Sequence, residues 1–381
     1  IGHGTLNVQN FTTATDTFNT AVGHAAGLNV STGIQNTLIG GLAGDALTDA
    51  DYNVAIGKEA LTRDTLGSRS VAIGTFTLNQ QNFTTATNTY NTAVGYNAGG
   101  ANTTGETNTF LGATAGAANT SGNNNSAMGY AALFTNVLSD RNVAVGNNTL
   151  YSHNQATSVD SYNVAVGYDA GSAVTTGVQN TLIGGLAGDA LTDADHNVVV
   201  GYAALSSDTL GSKSIAIGHA ALQVQNFVTA TDAYNVAVGY NAGQQITTGT
   251  GNALMGGLAG DALTDADSNT AVGYLALTAD TLGDGSTALG NRSLKSQNFS
   301  TAATSFNTAV GFQSGEFTTT GQSNVFVGYN CGQHNSTGAG NTFVGSAAGT
   351  GVSGAKITGS NNTSIGSGAG SVLQGAAANN T

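Results

Sequence analysis

The chain has 381 residues, of which only 8% are charged, with eight Lys or Arg against 21 Asp or Glu and a net charge of −13. Nucleic acid is therefore excluded as an expected partner, because its binding depends on basic side chains that neutralise phosphates. No apolar run approaches the roughly 18–20 residues that span a bilayer, so no membrane span is expected in this chain. The single cysteine, Cys331, excludes an intrachain disulfide framework and is expected to be a small buried side chain.

A short phrase, Asn-Thr/Val-Ala-Val/Ile-Gly, recurs from the first residues to the last turn of the chain. Its closing glycines are spaced 21, 17, 17 and 17 residues apart, and this order repeats with a period of 72 residues. The last step departs from the order, because 345 to 366 is 21 where 17 is due. A fixed short period over a whole chain is typical of solenoids. We therefore predict one continuous repeat domain over residues 1–381.

Each phrase predicts a strand that ends at the glycine. The residue before the glycine is aliphatic or Met in all 21 copies, as at Val22 and Ile39, and the residue three before is Thr or a small aliphatic, as at Thr20. These two positions share one face of a strand. The residue between them is usually Ala, so both faces are largely apolar, as in strands buried on two sides.

Glycines this frequent exclude a helix, since each would cost about 1 kcal/mol in a helix interior. The predicted coil is a strand, a Gly turn, a short second strand and a polar loop. The fold class is all-β, a β-solenoid of about 20 coils built from 17- and 21-residue repeats.

The residue four before the glycine is Asn in 17 of 20 repeats and Ser in the other three. Stacked coils place these amides about 4.8 Å apart, where they can hydrogen-bond along the stack. Amides are weak acid–base groups, so we interpret the row as structural and not catalytic. The ladder is represented by Asn19, Asn36, Asn53, Asn91, Asn108, Asn163, Asn235 and Asn307.

One coil buries little apolar surface, because its inward side chains are mostly Ala and Val. The second apolar face of the strand must also be buried against another surface. We therefore expect self-association, with a homotrimer as the predicted symmetry.

The phrases Ser70-Val-Ala-Ile-Gly74 and Ser214-Ile-Ala-Ile-Gly218 resemble the head-domain repeats of trimeric autotransporter adhesins. Asn91-Thr-Ala-Val-Gly-Tyr-Asn-Ala-Gly99 is similar to repeat arrays of marine bacterial surface proteins and phage tail fibres. The resemblance covers the whole chain and implies a left-handed parallel β-roll packed as a homotrimer. The coils here are longer than those of a typical adhesin head, and the four-residue insertions are additional.

The longer coils carry an inserted loop with aromatic residues that recur at multiples of 72. One interpretation folds each ring over its own loop or into a seam between chains; the other makes the rings a periodic surface for glycans or for neighbouring fibres. A second aromatic set directly follows the glycine and either stacks on a sugar or shields the turn. The candidate surface residues are Phe11, Phe83, Phe227, Phe299, Tyr96, Tyr168 and Tyr240.

Three acidic triplets recur within the phrase Gly-Asp-Ala-Leu-Thr-Asp-Ala-Asp. Three oxygen donors in one loop suit a hard cation such as Ca²⁺, although the spacing matches no EF-hand loop. The alternative is a solvated acidic loop that keeps the protein soluble, and no cofactor is then expected. The residues are Asp45, Asp49, Asp51, Asp189, Asp193, Asp195, Asp261, Asp265 and Asp267.

The sequence as a whole favours a non-enzymatic structural fibre or adhesin shaft, since no nucleophile–base pair, phosphate loop or paired carboxylate motif stands out. We expect it outside the cell, on a bacterial surface or a phage particle, with a host-surface glycan or protein as partner. One alternative is the subunit of an end-to-end polymerising filament. Another is an ice-binding solenoid, which needs regular exposed Thr ranks, whereas Thr alternates with Val here.

Overall fold

The computed structural model describes all 381 residues, Ile1–Thr381, and contains β-strands and turns but no helix. The fold is a parallel β-solenoid of about 20 turns, which confirms the predicted fold class. By its internal contacts the chain divides into two compact units, Ile1–Asp193 and Ala194–Thr381. Both units are built from the same coil, and a single domain over 1–381 stays a prediction.

In the first unit, ten three-residue strands pair in parallel, each with the strand of the next turn. These strands are β1 (Thr20–Val22), β2 (Thr37–Ile39), β3 (Val54–Ile56), β5 (Val71–Ile73), β7 (Thr92–Val94), β8 (Thr109–Leu111), β9 (Ser126–Met128), β11 (Val143–Val145), β13 (Val164–Val166) and β14 (Thr181–Ile183). Two further parallel pairs join short strands, β4 (Gly67–Ser68) with β6 (Thr87–Asn88) and β10 (Ser139–Asp140) with β12 (Val159–Asp160).

The second unit repeats this arrangement with ten more paired three-residue strands. They are β15 (Val198–Val200), β17 (Ile215–Ile217), β19 (Val236–Val238), β20 (Ala253–Met255), β21 (Thr270–Val272), β23 (Thr287–Leu289), β25 (Thr308–Val310), β26 (Val325–Val327), β27 (Thr342–Val344) and β28 (Thr363–Ile365). The short pairs are β16 (Gly211–Ser212) with β18 (Thr231–Asp232) and β22 (Gly283–Asp284) with β24 (Ala303–Thr304).

The large side chains of the core occupy different positions from turn to turn. Leu38, at the centre of β2, lies against Gly27 and Gly44, where an added Cβ would come within 3.0 Å of its methyl groups. Where the strand centre is Ala55 instead, the residue equivalent to Gly44 is the fully buried Leu61. The alternation of Gly and Leu after the turn is therefore a compensation of side-chain volume.

The segment after the motif glycine is a run of turns, so the predicted short second strand is wrong. Leu42 and Gly44 both have left-handed backbone angles, φ 60° and 55°, which curl the chain and prevent a ladder of strand pairs. The backbone still bonds to both neighbouring coils, because the Leu42 amide donates to the His24 carbonyl and the Gly44 amide to the Ala60 carbonyl, both at 2.9 Å.

Cys331 is buried and unpaired, as predicted. Burial raises the pKa of its thiol to about 11, and the thiol donates to the Phe343 carbonyl at 3.1 Å. The structure contains no helix with the length and hydropathy needed to cross a membrane.

The motif glycines are required by the stacking of the coils. Gly40 has φ 139°, and a Cβ there would lie within 3.0 Å of the Gly57 backbone in the next turn. Its amide also donates to the Val22 carbonyl at 2.8 Å, which holds the backbones in register. Gly41, the next residue, has open space around its Cβ position.

We therefore predict that Gly40→Ala lowers the free energy of unfolding by about 2–4 kcal/mol, through backbone strain and a clash with the neighbouring coil. The matched control is Gly41→Ala, which should change it by less than about 1 kcal/mol. Chemical denaturation followed by circular dichroism measures both. Equal effects of the two substitutions would contradict this account of the motif glycine.

Candidate functional site

The asparagine ladder is buried and bonded, but mainly to backbone. Asn36 Nδ2 donates to the Ala50 carbonyl at 2.8 Å, and its Oδ1 accepts the Asn53 amide at 2.9 Å. The same pair of bonds recurs at all eight predicted ladder residues. Amide–amide bonds occur only at some steps, for example from Asn324 to Asn307 at 3.0 Å. Each side chain therefore ties one coil to the next through the backbone.

We predict that Asn163→Leu lowers the free energy of unfolding by about 1–3 kcal/mol, because the Gly177 carbonyl and the Asn180 amide lose their partner in a dry stack. Asn154→Leu is the matched control, since Asn154 is exposed. Thermal and chemical unfolding of the two variants measure the difference, and an unchanged Asn163→Leu would show that the row is dispensable.

Three of the four recurring phenylalanines of the inserted loops are buried, which agrees with the interpretation that folds each ring over its own loop; a surface site at Phe83, Phe227 and Phe299 is therefore wrong. Phe83, Phe227 and Phe299 are only 5–6% exposed, and Phe11 is half-buried. The cause is a buried carboxylate one coil earlier: Asp64 Oδ1 accepts the amides of Phe83 and Gly67, both at 3.0 Å. These bonds draw the start of the inserted loop over the core.

The Asp64 carboxylate belongs to a buried polar network beside this loop. Gln81 donates to Asp64 Oδ2 at 2.6 Å and to Ser70 Oγ at 2.9 Å, and Gln81 Oε1 accepts Asn91 Nδ2 at 2.9 Å. The same network is built in the second unit by Asp208, Gln225, Ser214 and Asn235, and again by Asp280, Gln297, Ser286 and Asn307. Burial raises the pKa of the Asp64 and Asp280 carboxyls.

Sequence reasoning missed this network, although a signal was present. In the coil before each of these inserted loops, an Asp stands seven residues after the motif glycine. A Gln stands at the same position of the next coil, 17 residues later. Their recurrence at one position indicates a common structural role. In the structure, the Asp and Gln side chains hold the start of the inserted loop. The network is structural and offers no group to a ligand.

One copy of the network has a different composition. Asn136 and His153 stand where the other copies have Asp and Gln. His153 is fully buried, its Nε2 lies 3.1 Å from Ser161 Oγ, and its Nδ1 has no hydrogen-bond partner. Burial lowers the pKa of this imidazole from 6.5 to about 4.

This histidine predicts an acid-sensitive step. The unfolded chain binds a proton at His153 below about pH 6.5, whereas the folded chain does so only near pH 4. The stability that His153 contributes is thus present above pH 6.5 and lost as the pH falls toward 4, by up to about 3 kcal/mol. His153→Gln, which copies the other networks, should reduce the loss of stability between pH 7 and pH 4.

Chemical denaturation at both pH values compares the variant with the parent chain. The buried Asp carboxyls, whose raised pKa adds stability as the pH falls, are common to both proteins and cancel in the difference. An identical pH dependence would mean that His153 stays accessible to protons in the folded chain.

The carboxylates of the acidic triplets do not come together as a cluster of three. In the first triplet, Asp45 accepts from Thr62 Oγ1 and Asp49 from Thr32 Oγ1, both at 2.5 Å, while Asp51 accepts the Ile34 amide at 2.8 Å. Thr32 and Ile34 lie in the preceding coil and Thr62 in the following one, so Asp45 is bonded in the opposite direction along the stack from Asp49 and Asp51. No group of three or more His, Cys, Asp or Glu side chains that could hold a metal ion is present. The predicted Ca²⁺ site at these loops is therefore wrong as a three-carboxylate cluster.

The tyrosines that follow the glycine lie on the surface. Tyr96, Tyr168 and Tyr240 are 58–59% exposed. In the second unit the rings stack along successive turns, with His219 between Tyr202 and Tyr240 at centroid distances of 5.6 and 5.2 Å. The exposed location of these rings agrees with the expectation from the sequence. A binding role for them stays a prediction.

Beside the tyrosines runs an outward row of aliphatic side chains, one from the last residue of each three-residue strand. The central residue of the strand is buried, whereas the first and last are half-buried or exposed. Val22, Ile39, Ile183 and Val272 are 37–39% exposed, and Met255 reaches 52%. Each unit therefore presents an apolar sheet face that its own chain leaves uncovered.

Comparison with protein-family models and with curated proteins finds no match for this chain.

Proposed function

We propose that the chain is a structural fibre or adhesin shaft that acts outside a cell or on a phage particle and assembles as a homotrimer. The observation that carries the proposal is the outward aliphatic row. A soluble monomer rarely exposes a contiguous apolar patch of more than a few hundred Å². A row with one such side chain in every turn needs a partner along its length.

A second copy of the same chain fits this row better than an unrelated partner. Identical chains in parallel register repeat the row with the same spacing, so each turn meets a matching turn. The first and last residues of the three-residue strands carry no charge, although the chain has a net charge of −13. The acidic residues Asp45, Asp49 and Asp51 lie in loops later in the coil, so the strand faces can meet without charge repulsion.

The way the polar side chains are used supports a role in spanning and attachment. The buried Asn ladder and the Asp–Gln networks are bonded within and between coils. The exposed tyrosines, in contrast, offer repeated contacts to a glycan or protein of a host surface. The resemblance to adhesin heads and tail fibres supports the same function.

Light scattering on the native chain tests the assembly, with a mass of three chains as the expected result. Ile56→Glu together with Ile73→Glu should shift the mass toward one chain, because two rings of like charge would be buried at the contact. Thr85→Glu is the matched control, since Thr85 lies in an exposed loop. A stable monodisperse monomer from the parent chain would disprove the proposal.

A further inference from the structure

A cleft of the first unit lies beside the aromatic row and spans three successive turns. Its volume is about 540 Å³, within the 300–1,000 Å³ range of small-molecule sites. It is open to solvent, so it suits a ligand that is part of a longer chain. The lining residues are Tyr130, Asn148, Tyr151, Ser152, Asp169, Ser172 and Ala173.

Two tyrosine rings form the apolar part of this cleft. Tyr130 is 59% exposed and Tyr151 37%. Tyr151 stacks on Phe134 with a centroid distance of 5.1 Å and an interplanar angle of 4°, which fixes its ring in place. Phe134 and Tyr151 are the only aromatic residues found five positions after a motif glycine. This wall is therefore specific to one place in the repeat.

The polar part of the cleft combines an amide, a carboxylate and two hydroxyl groups. Asn148 Nδ2 donates to Asp169 Oδ1 at 3.0 Å, which orients both side chains. Asn148 and Asp169 both have left-handed backbone angles, φ 54°, at the turn after the glycine. Ser152 adds a hydroxyl group that donates and accepts, and Ser172 Oγ donates to the Asp189 carbonyl at 3.4 Å and keeps its lone pairs as acceptors. No lysine, arginine or histidine lines the cleft.

We propose that this cleft binds one neutral pyranose residue of a glycan. A ring face of tyrosine carries partial negative charge and attracts the polarised C–H groups of a sugar. A carboxylate accepts two neighbouring hydroxyl hydrogens, and the amide and serines complete the set. An anionic sugar is disfavoured because Asp169 repels its charge and no basic side chain lines the cleft. A simple ammonium ligand is disfavoured because it makes no use of the Asn148 amide and the serine hydroxyls.

The second unit provides an internal comparison. Seventy-two residues later, Ala220 replaces Asn148 and Gln223 replaces Tyr151. The exposed ring Tyr202 remains at the position of Tyr130, but the second wall and the oriented amide are lost. The proposed sugar site is therefore present in the first unit and absent from the equivalent position of the second unit. It rests on the proposed function for its biological role only, because the chemistry belongs to the cleft itself.

Saturation-transfer NMR on the full chain tests the site, with the methyl glycosides of glucose, galactose, mannose and N-acetylglucosamine as probes. Transfer to at least one glycoside is expected, and both Tyr151→Ala and Asp169→Asn should weaken its affinity at least tenfold. Tyr151→Phe keeps the stacked ring and should retain binding. Gln223→Ala, at the equivalent place in the second unit, is the matched control and should have no effect.

Absence of transfer with all four probes would overturn the proposal, as would equal affinity in the parent chain and in Tyr151→Ala with the fold intact by circular dichroism. Tetramethylammonium that binds the cleft in place of every glycoside would also overturn it. Light scattering separates this test from that of the assembly. A trimer without sugar binding disproves only the cleft, and a monomer that binds sugar disproves only the assembly.

Discussion

The backbone hydrogen bonds between successive coils are the constraint on which the structure depends. Every turn must approach its neighbours closely enough for bonds such as Gly40 N to Val22 O, at 2.8 Å. Only glycine allows this approach at the end of the strand, because a side chain there would enter the next backbone. The left-handed residues of the following turn and the buried asparagines serve the same requirement, since they keep backbone donors and acceptors paired where no strand ladder exists.

This constraint also explains the composition of the core. Space beside the strand centre is limited, so Leu38 requires glycines around it, whereas Ala55 leaves room for Leu61. The inserted loops interrupt this arrangement, because four extra residues must leave and rejoin the stack. The Asp64–Gln81 network supplies the bonds for that departure and brings Phe83 under the loop as additional core. A buried carboxylate is acceptable here because amides surround both of its oxygens.

The chemistry of the surface is separated by position within the coil. Acidic side chains stand in the loops, where Thr hydroxyls of neighbouring turns hold them. Aliphatic side chains form the outer sheet face, and aromatic rings border it. The acidic loop residues thus lie away from the apolar face, and Asp169 is the one charged side chain that lines the cleft between Tyr130 and Tyr151. Such a separation is compatible with the proposed association along one face and the proposed recognition along its edge.

The sequence by itself determined the all-β solenoid, the strand before each glycine and the position of the Asn ladder. These follow from the period, since a residue in a solenoid has the equivalent residues of the adjoining turns as neighbours. The period does not fix where a side chain points in a left-handed turn or an inserted loop. Bonds between residues 17 to 19 apart decided that: Asp64 turned Phe83 inward, and Thr62 and Thr32 drew Asp45 and Asp49 apart. The cleft likewise needed the tertiary structure, because Tyr130, Tyr151 and Asp169 come from three different turns.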